Sequence, residues 1–178
     1  MNKVLSLLLL GVLSLPAAHA QTALPEISPV NPSPSSQPLP VPAQTVPTPI
    51  LLDKVGATLS ASRTVSGEFT LSLALTNNQA AALEFSTGRD SEQNCAAAPL
   101  VRVLQVGTRV VVYPTGDKRI CTQEQQMKTA PASGSATFTR TLTLPAGEYM
   151  IEGWFQGFAG KAGQLVKVSA QPVRISVK

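Results

Sequence analysis

Histidine is all but missing: the only one, His19, stands among the first twenty residues of the 178-residue chain. Its absence from the remainder removes Ser-His and Cys-His nucleophile pairs, imidazole acid/base chemistry and His-based zinc sites together. Charge is sparse as well, at 13% of residues, and aromatics make up only 4%. From Asp53 onward thirteen Lys and Arg stand against nine Asp and Glu, a net charge of +4, and Lys118-Arg119 is the only adjacent basic pair. A nucleic-acid binder needs clustered cations with interleaved aromatics, so no nucleic-acid partner is expected. Asp90 and Glu92 are the one close pair of carboxylates with glycosidase potential, but spacing in sequence does not set their separation in space, and both are read as solvated. Ser60, Ser62 and Ser66 stand in no nucleophile-elbow or Ser-x-x-Lys context. The expectation is a protein that is not an enzyme and has no cofactor, metal site or catalytic residue.

Long apolar runs are also few. Val4 to Leu15 is a run of twelve residues behind Lys3, followed by small residues in Ala18-His19-Ala20. That is the pattern of a cleavable secretory signal over residues 1–20, leaving Gln21 first in the mature chain. A bilayer-spanning helix needs roughly twenty apolar residues, so no stable membrane insertion is expected after cleavage. A lipid anchor would need a cysteine just past the cut, and the nearest is Cys95. The protein is therefore expected to be secreted, or to reside in the periplasm or cell envelope.

Residues 21–52 hold nine prolines, at 25, 29, 32, 34, 38, 40, 42, 47 and 49. Each removes a backbone donor and fixes φ, so the segment is read as a disordered, semi-stiff linker favouring extended polyproline-like conformers. Residues 53–178 are enough for one domain, which at that size buries roughly two-thirds of its unfolded surface.

Within the domain the apolar period is two. Phe69, Leu71, Leu73 and Leu75 alternate with Thr70, Ser72, Ala74 and Thr76, the mark of a strand with one buried side. Asn77-Asn78 reads as a tight turn into Ala81, Leu83 and Phe85, which predicts an antiparallel hairpin. Further strands are predicted at 101–104, 108–113, 136–144, 149–155, 164–168 and 173–177, with a weaker one at 57–61. In the segment at 136–144, one of eight or so, Phe138, Leu142 and Leu144 alternate with Thr137, Thr139, Thr141 and Thr143. No window has a helical period. The fold class is all-β: an immunoglobulin-like antiparallel sandwich, with a barrel as the alternative.

The turn Leu144-Pro145-Ala146-Gly147-Glu148-Tyr149 places a tyrosine to fold back on its own corner, as in Greek-key sandwiches. Taken with Phe69 to Asn77, Leu83 to Gly88, and the run from Leu142 through Tyr149 to Gly153-Trp154, the chain resembles the BsuPI-like family, named for a bacterial intracellular proteinase inhibitor. The resemblance implies an immunoglobulin-like domain over 53–178 and a proteinase as partner. The chain departs from the family in having cysteines, in the polar loops 91–99 and 115–135, and in being exported.

Cys95 and Cys121 are the only cysteines, so in an exported protein a disulfide between them is expected, stabilising the fold by roughly 3 to 4 kcal/mol on a chain-entropy account. Lys118, Arg119 and Ile120, next to Cys121, form the candidate contact loop, because a rigid extended loop loses little entropy on binding. Trp154 is predicted on the outward face of its strand, with Met150, Glu152 and Gln156, where an aromatic would suit a sugar ring, and Phe158 is predicted at a loop tip. Two functions follow. The first is an exported binding module, with proteinase inhibition the specific form, acting on a protein partner through its loops. The second is a structural or adhesive cell-envelope protein with the sandwich on a Pro-rich tether.

Overall fold

The computed structural model describes residues 47–178. The segment read as a secretory signal, and the one read as a Pro-rich linker as far as Val46, lie outside the described residues. Alternation of apolar and polar side chains builds most of the strands: β1 (Val55–Ser60), β2 (Thr64–Val65), β3 (Glu68–Asn77), β4 (Leu83–Thr87), β5 (Leu100–Gln105) and β6 (Val111–Tyr113), then β7 (Gln126–Ala130), β8 (Ser135–Thr143), β9 (Gly147–Ala159), β10 (Gln164–Ser169) and β11 (Val173–Val177). They form an all-β sandwich. One sheet has the order β1-β3-β8, and the other has eight strands gathered on β9. β9 is long enough, at thirteen residues, to pair with β11 and β5 along its first half and with β10 and β4 along its second. Pairing is antiparallel except for β2 with β11 and a bridge from Ile50 to Val166. Ile50, inside the span read as linker, thus extends the edge of β10: its N–H donates to Leu165 O at 3.0 Å.

The core lies between the sheets. Phe155 of β9 meets Phe85 of β4 edge-on at 5.4 Å and Phe138 of β8 at 5.3 Å between ring centroids, so three aromatics tie the two layers together. Close approach requires glycine at two inward positions of β9. A Cβ at Gly157 would stand 2.3 Å from Ser86 O, and one at Gly153 would stand 2.9 Å from the Leu59 methyls of the facing sheet.

The predicted hairpin from Phe69 to Phe85 does not form. β3 pairs with β1 and β8, while β4 pairs with β7 and β9 in the other sheet. The reason is Asn77. It is buried, and its amide donates to Ala81 O (2.8 Å), Pro131 O (3.0 Å) and Ala130 O (3.3 Å) while its Oδ1 accepts from Gln79 N (3.0 Å). The side chain therefore satisfies the backbone of an arch between sheets, and neither Asn77 nor Asn78 has the positive φ of a tight hairpin turn. The strand predicted at 108–113 shortens to β6, because Arg109 takes φ 58° in the turn after β5. β7 forms inside the stretch read as a polar loop. Only Ala130 of its five residues is fully buried, so it carries almost no alternation to read.

The corner after β8 forms locally. Tyr149 is buried and its hydroxyl donates to Pro145 O at 3.0 Å. A Cβ on Gly147 would come within 3.0 Å of that hydroxyl, so the glycine leaves room for the ring.

Candidate functional site

Two loops carry the candidate residues: 88–99, between β4 and β5, and 114–125, between β6 and β7. The first is shaped by Asp90. Its carboxylate accepts from Glu92 N (2.8 Å) and Gln93 N (3.0 Å), and its carbonyl accepts from Cys95 N (3.0 Å), closing a tight turn. Asn94 and Cys95 then take φ 57° and 60°, which reverses the chain so that Ala96 bridges back to Asp90. Asp90 is thus half-buried and structural rather than simply solvated, a correction to the reading from sequence.

That turn drives Gln93 inward, where it is 4% exposed. Its side-chain amide pairs with the backbone of Val101, donating to Val101 O (2.9 Å) and accepting from Val101 N (3.2 Å). Arg140 meets it from β8. Its guanidinium donates to Gln93 Oε1 (2.7 Å), Gln93 O (2.9 Å), Pro99 O (3.2 Å) and the Tyr113 hydroxyl, and it lies 5.0 Å from the Tyr113 ring centroid. Burial pushes the Arg140 guanidinium below its ordinary value, opposed by its contacts with Tyr113 and the field of Asp90, and an arginine so placed still keeps its charge. The sequence reading missed Arg140 and Gln93. A signal existed for Arg140, which stands in the buried phase of β8 between Phe138 and Leu142.

The second loop has no regular structure, yet it is pinned to the first along its length. Cys121 is bonded to Cys95 (S–S 2.06 Å), Arg119 N donates to Ser91 O at 3.1 Å, Lys118 pairs with Glu92 at 2.8 Å and Glu124 with Arg89 at 2.5 Å. Between these ties Ile120 projects wholly into solvent, at 104% relative exposure. The Glu92 carboxyl sits below the ordinary carboxylate range because it accepts a hydrogen bond from Lys118 and lies in its field, and the Lys118 amine is raised for the same two reasons.

Lys118, Arg119 and Ile120 are thus brought together on one braced loop. Trp154 and Phe158 are not part of it. Both lie on the outward face of β9, Trp154 partly exposed and Phe158 at 44%. Trp154 lines a separate groove with Arg102, Glu152, Lys167 and Ser169. One face of its ring is covered by Lys167 Nζ at 5.0 Å from the centroid, and its indole N–H is buried without a hydrogen-bond partner. Phe158 is a strand residue opposite Leu165 and Ser86, not a loop tip, because β9 runs on to Ala159. Among the described residues no cluster of three His, Cys, Asp or Glu could hold a metal ion, and no helix is long and apolar enough to cross a membrane.

No family model matches the chain, and no curated protein does either, so the BsuPI-like resemblance rests on the quoted residues alone. The chain resembles solved structures at low TM-score and low identity. An X-ray structure of a Northeast Structural Genomics Consortium target has a TM-score of 0.46 at 10% identity, over 72% of this chain and 90% of that one. The CARDB domain of a Pyrococcus furiosus protein, solved in complex with di-metal ions, has a TM-score of 0.34 at 8% identity, over 74% of this chain and 95% of that one.

Proposed function

We propose that the protein is an exported, non-enzymatic binding module that engages a protein partner through the loop centred on Ile120, with proteinases as the partner class. One observation carries this reading: an aliphatic side chain is held fully in solvent on a loop fixed by a disulfide one residue away and by a backbone hydrogen bond on the other side. Exposing a whole isoleucine forgoes roughly 1.5 to 3 kcal/mol of burial free energy, which a partner's pocket would recover. The brace limits the ordering entropy lost on docking. Arg119 stands beside Ile120 with its side chain exposed, and a basic side chain on an extended loop suits a trypsin-like specificity pocket. The disulfide, and the BsuPI-like resemblance with its implied inhibitory activity, support export and this partner class.

The test is titration of subtilisin-like and trypsin-like proteinases with the mature chain and with its Ile120→Asp and Arg119→Ala variants. The reading expects saturable inhibition by the wild type and at least tenfold weaker inhibition by Ile120→Asp. Absence of inhibition across both classes removes the proteinase reading, and inhibition indifferent to both substitutions removes the loop.

A further inference from the structure

We infer a second interaction surface, away from the Ile120 side chain: the free edge of β8 and the cleft beside it form a docking site for an extended peptide strand that carries a carboxylate. β8 is bonded to β3 along one side, in a register running from Glu68 opposite Thr143 to Thr76 opposite Ser135. Among the described residues no strand pairs with its other side. The peptide groups of Thr137, Thr139 and Thr141 point to that side, since β3 takes the alternate residues and Thr137 O is met there by Lys128 Nζ. An edge nine residues long is a ready template for another strand.

Beside Thr139 the edge opens into a cleft of ≈ 440 Å³, lined by residues 96–98 with Arg89 and Arg140, and by residues 124–127, which include the carboxylate of Glu124. Arg89 already holds Glu124. Arg140 has no carboxylate within 4.0 Å among the described residues. Its Nη groups are taken by carbonyl and hydroxyl oxygens, and its Nε–H has no partner among the described residues.

These cations decide what the edge accepts. Lys128 capping a free carbonyl and Arg140 set in the inward row of β8 are devices by which proteins keep edge strands from pairing at random. A second copy of β8 would bring another Arg140 and no acidic residue, so a like strand is disfavoured. An incoming strand with an Asp, a Glu or a terminal carboxylate meets the opposite sign. Backbone pairing along Thr139 and Thr141 would supply affinity, and the cations the choice of sequence.

The probes are fluorescein-labelled eight-residue peptides of alternating valine and aspartate, of valine and asparagine, and of valine and aspartate with alternate amides N-methylated. Polarisation is read against the mature chain, and amide shifts are followed by NMR. The expected result is saturable binding of the aspartate peptide, about tenfold tighter than the asparagine peptide, with the Thr139 and Thr141 amides shifted and no binding of the N-methylated form. Thr139→Pro should abolish binding while leaving the β3 ladder intact, because that N–H serves only the free edge. Arg89→Ala, which leaves Glu124 bare in the cleft, should weaken it. Equal affinity for the aspartate and asparagine peptides, retention by the N-methylated peptide, or shifts confined to residues 115–121 would each overturn the inference. The N-methylated peptide keeps the test decisive if Thr139→Pro does not fold.

Discussion

The two sheets meet in two different ways. Between β4, β8 and β9 they meet through Phe85, Phe138 and Phe155, all fully buried. Beside β5 and β6, near the edge of β8, the interior is instead filled by Gln93, Arg140 and Tyr113, held by hydrogen bonds to backbone carbonyls and backed by the bond from Cys95 to Cys121. The first region derives its stability from area removed from water. The second is a plug made from a loop, whose buried polar groups need partners to offset their desolvation.

Substitution on each side sharpens that contrast. Phe155→Ala, which empties the meeting point of both aromatic contacts, should cost about 3 to 5 kcal/mol in urea unfolding and destabilise every part of the domain together. A clearly smaller loss would mean that the aromatic cluster is not what joins the sheets. Replacing Cys95 and Cys121 by serine should cost roughly 3 to 4 kcal/mol on the chain-entropy account, with a further local effect: limited proteolysis should cut faster within 114–125 and not within the strands. Two free thiols in the protein isolated from cells would remove the brace altogether.

The aromatic side was legible in the sequence and the plug was not, for a physical reason. Phe69, Leu71, Leu73 and Leu75 announce their strand through a period that needs only near neighbours, and Tyr149 reaches a carbonyl four residues away. Pairing is a different matter. Asn77 looks like a hairpin residue until Ala130 and Pro131, more than fifty positions on, are placed beside it. Gln93 in a polar stretch reads as solvent-exposed because its partner Arg140 is 47 residues away. The braced position of Lys118, Arg119 and Ile120 followed from the cysteine beside them, whereas Phe158 was misplaced because Gly157 and Gly160 suggested a loop where β9 in fact needs Gly157 to admit β4.

Within the plug, two substitutions separate matched polarity from mere packing. Gln93→Ala strips partners from Val101 and from the Arg140 guanidinium at once and should cost about 1 to 3 kcal/mol. Arg140→Met keeps the side-chain stem but removes the donor to Gln93 Oε1, Gln93 O and Pro99 O together, so it should cost at least as much as Gln93→Ala. Urea unfolding of the two variants decides the order. A clearly smaller loss for Arg140→Met would show that the guanidinium is held by the plug rather than holding it.

The smallest effect is expected from the ion pair that decorates the same loops. The Glu92 carboxyl is depressed on folding by the hydrogen bond and charge of Lys118, so its contribution is fully present above its unfolded value and is lost as pH falls through the lower, folded one. The Lys118 amine is raised, so its contribution is present below its unfolded value and is lost only as pH rises through the higher, folded one. The pair is therefore complete across neutral pH and fails first on the acid side. Both groups are fully exposed, and water and salt screen such pairs, so the melting temperature should not register the loss. NMR titration of the Glu92 side chain should do so: Lys118→Met should move its midpoint back up toward the ordinary carboxylate range, and 1 M salt should move it part of the way. Hydrogen exchange at the Arg119 amide, bonded to Ser91 O, then reports whether the loop noticed. If the disulfide is the brace, Lys118→Met leaves that exchange unchanged while the double serine variant accelerates it. Equal acceleration in both would mean that the loop carrying Ile120 is held by charge, and it would then loosen as pH falls through the lowered, folded value of Glu92.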